Sequence, residues 1–255
     1  MNNMAFCTLT YGEKYVKLGD VLIKQITDLG YHMYVYTNEP NHYRKNKMVT
    51  VLKYTKPYFS FHEKRVVVKE CLKYFETAVF LDADVVLHEV ENLEHFEIVE
   101  GGLHIFSTFG NIGDTFCSND VVPYQNMNQR NTKYGAEGIE FLESLNLMYK
   151  REYHGIPDYL EHYLEGRWLI KRDNGIEDIF FEIWDKVSEF SEKKDIELGF
   201  EHCIGAGEGS AMSIASFNSG IRTLAPSYLC GYVIRHFISN YQEKLDGTKP
   251  WDIAG

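Results

Sequence analysis

Apolar and polar residues in the first ninety positions alternate between two periods. Ala5 to Leu9 is a short, mostly apolar run that breaks at Thr10-Tyr11-Gly12 and predicts a strand. Tyr15, Leu18, Leu22, Ile26 and Leu29 then recur at spacings of three and four, and Gly30 follows as a stop signal, which predicts a helix. His32 to Thr37 and Val49 to Tyr54 read as strands, with Asn38-Glu39-Pro40 ending the first of them. A helix is expected around Phe61 to Phe75, followed by the continuous apolar run Ala78 to Leu81. Such a run suits a parallel strand buried on both faces. The order strand, helix, strand, strand, helix, strand predicts an α/β fold with a Rossmann-like sheet flanked by helices, whose ligands bind beyond the carboxyl ends of the strands.

The second half is less regular. Leu103 to Ser107 and Arg167 to Lys171 read as strands, and Gly138 to Leu147 and Pro157 to Leu164 as short helices. Ile176 to Phe190 carries Ile179, Phe180, Ile183, Trp184 and Val187 at helical spacing, and the Glu- and Lys-rich Ser191 to Glu197 reads as its solvated exit. A helix from about Ser210 to Phe217 and short strands near Ile221 to Leu224 and Tyr232 to Phe237 complete the reading. Gly110 to Lys133 has little periodicity, and a long irregular stretch of this kind is usually functional. With no repeat, low-complexity tract or clear linker, residues 1–255 are expected to form one domain: 1–110 for a nucleotide and metal, 111–255 on the acceptor side.

Charge narrows the field. The chain carries 26 Lys and Arg against 37 Asp and Glu, a net charge of -11, which speaks against a nucleic-acid partner. Its one short basic cluster, Arg44-Lys45-Asn46-Lys47, reads as a solvated loop. The five cysteines are odd in number and widely spaced with no CxxC, so neither a disulfide framework nor a thiolate zinc site is expected, and a cytoplasmic location fits. Met1-Asn2-Asn3-Met4 does not open a signal peptide, and no apolar run nears the roughly 20 residues of a membrane span.

The chemistry concentrates at Asp82-Ala83-Asp84, just past the apolar run. Two neighbouring carboxylates repel unless something positive joins them. A hard divalent cation, Mn2+ or Mg2+, suits oxygen ligands and keeps positions open for substrate phosphates. A solvated acidic turn is the plainer alternative.

Phe59-Ser60-Phe61-His62-Glu63-Lys64-Arg65, a helix, and then VFLDADVVL resemble the core of the GT-A fold glycosyltransferases, most closely family 8, the glycogenin and lipopolysaccharide galactosyltransferase group. The likeness covers about the first 110 residues and the last 20. It implies a metal-dependent hexosyltransferase that moves a sugar from a nucleotide diphosphate, a UDP-sugar, to a hydroxyl of a glycan, lipid-linked or protein acceptor. It implies metal ligation by Asp82, Asp84 and His236. It further implies that Thr8, Leu9, Thr10 and Tyr11 line the nucleoside pocket with Asn38 beside it. Lys64, Lys249 and the motif Asp82-Ala83-Asp84 would meet the diphosphate. Family 8 closes on H-x-x-G-x-x-K-P-W. Here His236 stands well before Gly247-Thr248-Lys249-Pro250-Trp251, and the spacing from Gly to Lys is one residue shorter.

Glu208, in Gly207-Glu208-Gly209, matches an acid that contacts donor sugar or acceptor in many GT-A enzymes, and reads equally as a helix-start acid. Retention of configuration follows if the resemblance to family 8 holds. An inverting enzyme needs a general base, with Glu208 or Asp173 as candidates. Asp173-Asn174 also reads as a helix-capping turn. His154, Asp158 and His162, at helical spacing, read as a polar helix face. Two other functions share the sequence pattern: a haloacid-dehalogenase-like phosphatase with Asp82 as nucleophile, and a non-catalytic nucleotide-sugar-binding protein.

Overall fold

A computed structural model describes residues 3–87, 100–105, 108–113, 116–117, 134–163, 165–199, 207–224 and 234–236. In chain order the elements are β1 (Met4–Thr10), α1 (Gly12–Asp28), β2 (His32–Thr37), α2 (Pro40–Tyr43), β3 (Val49–Lys53), a 3-10 turn (Phe61–Glu63) leading into α3 (Lys64–Leu72), β4 (Thr77–Leu81), β5 (Val85–Leu87), β6 (Gly102–Ile105) and β7 (Thr108–Asn111). There follow α4 (Gly135–Ser144), β8 (Lys150–Tyr153), β9 (Ile156–Tyr159), β10 (Glu161–Tyr163), β11 (Arg167–Lys171), α5 (Ile176–Glu197), α6 (Glu208–Ser219), β12 (Thr223–Leu224) and β13 (Ile234–His236).

Among the described residues the main sheet has seven strands in the order β12-β6-β11-β4-β1-β2-β3. β4, β1, β2 and β3 run parallel to one another. β11 lies between β4 and β6 and is antiparallel to both. The fold is therefore mixed α/β, and the carboxyl ends of β1, β2, β3 and β4 share one edge.

The period of two along each strand divides the core. Met4, Phe6, Val79 and Leu81 pack with Val16, Leu22, Ile23 and Ile26 of α1 on one face. Ala5, Cys7, Leu9, Ala78 and Phe80 pack on the other face with α3, α5 and α6. Continuous apolar runs in β1 and β4 are what a sheet covered on both faces requires. α1 lies close to the strand ends at Gly19, where any Cβ would come within 2.7 Å of Thr10 Cγ2 and 3.9 Å of the Ala83 Cβ.

Two sequence expectations are corrected. Pro157 to Leu164 is not a helix. β8 and β9 form an antiparallel hairpin that turns at His154 and Gly155, with φ of 52° and 79°, and β10 then pairs with β7. The helical face of His154, Asp158 and His162 therefore does not exist. His-Gly was the overlooked turn signal, since both residues tolerate positive φ better than most. Likewise, Ser191 to Glu197 is not an exit but the last turns of α5. Ser188, Ser191, Glu192 and Asp195 recur at spacings of three and four and are buried. Polarity masked that inward face, because Glu192 and Asp195 are buried with partners: Glu192 accepts from Lys56 and Ser60, and Asp195 accepts from the Tyr134 hydroxyl.

Candidate functional site

The turn after β4 carries the acidic motif. The Val85 N–H donates to the Asp82 carbonyl at 2.9 Å, so Asp82-Ala83-Asp84 is folded into one tight turn between β4 and β5. The Asp82 N–H donates to the Gly166 carbonyl at 2.8 Å, extending the β4–β11 ladder by one step. Alternation along the chain turns Asp82 toward the face of Phe80, which is the side of α3 and α6, while Ala83 is buried toward α1.

On that side Lys64 opens α3. Its Nζ lies 3.1 Å from Asp82 Oδ1 and 2.8 Å from Glu208 Oε1. The Lys64 side chain is only 5% exposed and that of Glu208 2%, whereas Asp82 is 25% exposed and forms the mouth of the cluster. Burial works against the lysine's charge, but Asp82, Glu208 and Glu165 outweigh it and hold its pKa above the ordinary lysine value. Burial pushes the Glu208 carboxyl up to about 8, with Glu165 beside it adding to the effect and Lys64 opposing it. Burial raises Glu165 as well. Burial thus favours the protonated form of Glu208 more than it would for an exposed glutamate, while the Lys64 ammonium favours the charged form.

The β10–β11 turn supplies the far wall. His162 Nδ1 is 2.9 Å from the Ser210 hydroxyl oxygen, and its Nε2 is 3.9 Å from Glu165 Oε2. The first turn of α6 approaches this wall through Gly209. A Cβ there would collide with the Tyr163 carbonyl oxygen and stand 2.7 Å from His162 Nε2 and 2.9 Å from Glu165 Oε2. Glycine is what lets α6 dock closely enough to bring Glu208 to Lys64.

Lys64 is held by its neighbours in sequence. Glu63 meets Lys56 Nζ at 2.7 Å, Lys56 also meets Glu192 at 2.6 Å, and the Ser60 hydroxyl donates to Glu192 at 2.6 Å. Arg65 Nε donates to Asp185 at 2.6 Å. These pairs fasten the start of α3 to α5.

The remaining expected residues are distributed as follows. Thr8 and Thr10 are fully buried within β1, and the Thr8 hydroxyl has no hydrogen-bond partner. Leu9 packs in the core on the opposite face from α1. Tyr11, partly exposed, packs against Tyr54 with ring centroids 4.9 Å apart and Phe59 at 5.2 Å. Asn38 Oδ1 accepts from the Gly12 N–H at 2.9 Å, tying the β1–α1 loop to the end of β2. Lys249 lies outside the described residues, as does the side chain of His236. The backbone of His236 is registered opposite Val85 in the antiparallel β5–β13 ladder, one residue past Asp84. Among the described residues no group of three or more His, Cys, Asp and Glu side chains is arranged to hold a metal ion.

Asp173 is not brought to the cluster. Because β11 runs antiparallel to β4, Lys171 pairs with Thr77, and Asp173 follows at the opposite edge of the sheet from Asp82. Its backbone N–H donates to Glu177 Oε2 at 2.9 Å, as does that of Gly175, the N-cap of α5, at 3.1 Å, so Glu177 and not Asp173 supplies the hydrogen-bonding side chain of this turn. Glu165 and His162, which sequence reasoning did not select, occupy the place instead. The only signal for Glu165 was an acid before Gly166 at the start of a strand.

The fold and site define a mixed α/β protein with an acidic turn and a buried lysine–carboxyl cluster at the carboxyl edge of its parallel strands. No protein-family model matches the chain, and no curated protein matches it. Among solved structures it is similar to the bifunctional glycosyltransferase WbbM in its apo form (TM-score 0.42, 12% identity), covering 83% of this chain and 37% of that one. It is also similar to the galactosyltransferase LgtC in complex with donor and acceptor sugar analogues (TM-score 0.44, 11% identity, 83% and 70% covered). An active-site mutant of LgtC gives a TM-score of 0.43 and 10% identity. The chain spans little more than a third of the bifunctional enzyme. Likeness at this level carries nothing about chemistry, which has to come from the residues of this chain.

Proposed function

We propose that this chain is a metal-dependent glycosyltransferase that moves a sugar from a nucleotide diphosphate donor, a UDP-sugar, to a hydroxyl of a glycan, lipid-linked or protein acceptor. The observation that carries the reading is the Asp82 carboxyl on a tight turn at the carboxyl edge of the parallel strands, touched by the ammonium that also touches Glu208. Ligands of open α/β sheets bind at this edge.

The residue types of the proposed donors suit a divalent cation. Asp82 and Asp84 stand on one turn, and the strand that carries His236 runs beside it. Oxygen ligands with one imidazole suit Mn2+ or Mg2+. Asp82, Asp84 and His236 would hold the ion, which when bound supplies positive charge to offset a departing diphosphate. Lys64 contributes a second positive charge, already oriented by its carboxyl partners. Tyr11, with its ring held by Tyr54 and Phe59, supplies an aromatic surface for the base. Glu208 supplies a buried hydrogen-bonding group one ammonium away from Asp82, where the sugar follows the diphosphate. Lys249 is the further candidate for a diphosphate contact.

The test is Mn2+-dependent release of UDP from a panel of UDP-sugars, with p-nitrophenyl phosphate as a control for a phosphatase that uses Asp82 as nucleophile. Asp84→Ala is expected to abolish metal-dependent release. Undiminished turnover in Asp84→Ala, or hydrolysis of the phosphate ester alone, overturns the reading. Among the described residues no helix is long and apolar enough to cross a membrane, so a lipid-linked acceptor would be met without a span from those residues.

A further inference from the structure

The aromatic surface at Tyr11 is flanked by a loop that one hydroxyl closes. Tyr54 stands directly after β3, and its N–H donates to the Thr37 carbonyl at 2.8 Å, so its backbone continues the β2–β3 ladder. Residues 55–59 form neither helix nor strand. The Tyr54 side chain reaches across them. Its hydroxyl donates to the Tyr58 carbonyl at 3.1 Å and accepts from the Ser60 N–H at 2.8 Å, serving as donor and acceptor at once. Burial raises the Tyr54 pKa above the ordinary tyrosine value, so the donated proton is retained. Ser60 is fixed from the other side as well, because its own hydroxyl donates to Glu192 of α5 at 2.6 Å.

The closed loop presents Phe59 to Tyr11. Phe59 packs on Tyr11 with ring centroids 5.2 Å apart and on Phe61 at 4.7 Å. The Tyr54 ring meets Tyr11 edge-on at 4.9 Å and leans on Tyr36 at 4.9 Å. The backbone after Tyr11 is held by Asn38, which accepts from the Gly12 N–H. Tyr11 is only partly buried, whereas Tyr54 is 5% exposed. A ligand can therefore touch the Tyr11 ring, and Tyr54 acts on that ligand through its neighbours. Stacking depends on the orientation of the ring, and a ring locked in advance loses less freedom on binding.

Resting on the glycosyltransferase reading above, in which Tyr11 meets the base, we propose that Tyr54 is a positioning residue of the nucleotide site: its hydroxyl closes the 54–60 loop, holds Phe59 against Tyr11, and so keeps the Tyr11 ring oriented for stacking.

The experiment measures kcat and KM for metal-dependent UDP release in the full chain, with the UDP-sugar that the wild type turns over, together with thermal midpoints. The variants are Tyr54→Phe, which keeps the ring and removes the hydroxyl, Phe59→Ala, and the two combined. Tyr54→Phe is expected to raise KM about tenfold, the scale of a weakened base–aromatic stack. Its kcat is expected to stay within roughly twofold of wild type, since stacking on the base serves substrate and transition state alike. Because the hydroxyl acts through Phe59, the double variant is expected to have the KM of Phe59→Ala alone. A purely structural Tyr54 would lower the thermal midpoint and leave the KM of the folded enzyme unchanged, which overturns the proposal. Additive losses in the double variant overturn it too. Should Tyr54→Phe not fold, Phe59→Ala decides: a raised KM at unchanged kcat supports the proposal, and an unchanged KM overturns it. A folded wild type that releases UDP from no UDP-sugar defeats the parent reading as well, an outcome distinct from the others.

Discussion

The Lys64 ammonium lies 2.8 Å from Glu208 Oε1, joining the first residue of α3 to the first residue of α6 across 144 positions of sequence. Both side chains are almost wholly buried. Removing one partner of such a pair leaves a charge or a proton-bearing group without compensation, which typically costs about 3–5 kcal/mol. Lys64→Met is expected to lower stability on this scale, measured by urea unfolding at pH 8. Glu208→Gln, which keeps a hydrogen-bonding group against the ammonium, is expected to cost less than Lys64→Met.

Gly209→Ala is expected to reduce both stability and metal-dependent UDP release. Overpacking of this kind costs about 1–3 kcal/mol, and relief requires α6 to move away from Tyr163 and His162. The movement carries Glu208 away from Lys64. Urea midpoints together with turnover check it. Full activity at reduced stability would disconnect Gly209 from the site.

Glu208 should make stability fall as pH rises from 7 to 8.5. Its folded pKa, about 8, lies above the ordinary glutamate value. Between the two values the folded chain holds a proton that the unfolded chain has lost, so unfolding is favoured progressively as pH increases through that window. His62 and His162 act in the other direction. Burial lowers both pKa values, so their contribution is lost as pH falls below the ordinary histidine value. Above pH 7 they are neutral in either state, and Glu165, also raised by burial, acts in the same direction as Glu208. Thermal midpoints across this range should fall in the wild-type chain and flatten in Glu208→Gln.

Glu192→Ala is expected to destabilise the chain although it lies outside the cluster. Its carboxylate receives both Lys56 and the Ser60 hydroxyl and is itself buried. A loss of about 3 kcal/mol is expected for one half of a buried pair, or roughly 6–12 °C in Tm for a chain of this size. A midpoint within 2 °C of wild type, read by calorimetry, contradicts it.

Much of the fold was legible because burial on both faces leaves a simple mark. The apolar runs of β1 and β4 and the helical spacing in α1 and α5 each predict an element that the structure contains. The acidic motif was legible for a related reason: an apolar strand followed by two acids needs a rim and a charge partner. Local chemistry was less reliable where it had to compete with tertiary contacts. Pro157 to Leu164 reads as a helix by spacing, yet its backbone finds partners in β8 and β7. The polar end of α5 reads as solvated, yet Lys56, Ser60 and Tyr134 supply partners that its own segment does not contain.

β11 shows where the division falls. The amino-acid sequence determines that 167–171 is a strand with an acid on either side, Glu165 before it and Asp173 after it. Nothing in that pattern says which acid belongs to the site, because hydrophobic alternation is the same read in either direction. Only the antiparallel pairing with β4 decides it: the Gly166 carbonyl receives the Asp82 N–H, Lys171 is opposite Thr77, and Glu165 joins the cluster while Asp173 stands in the turn before α5 at the far edge of the sheet, its N–H donating to Glu177.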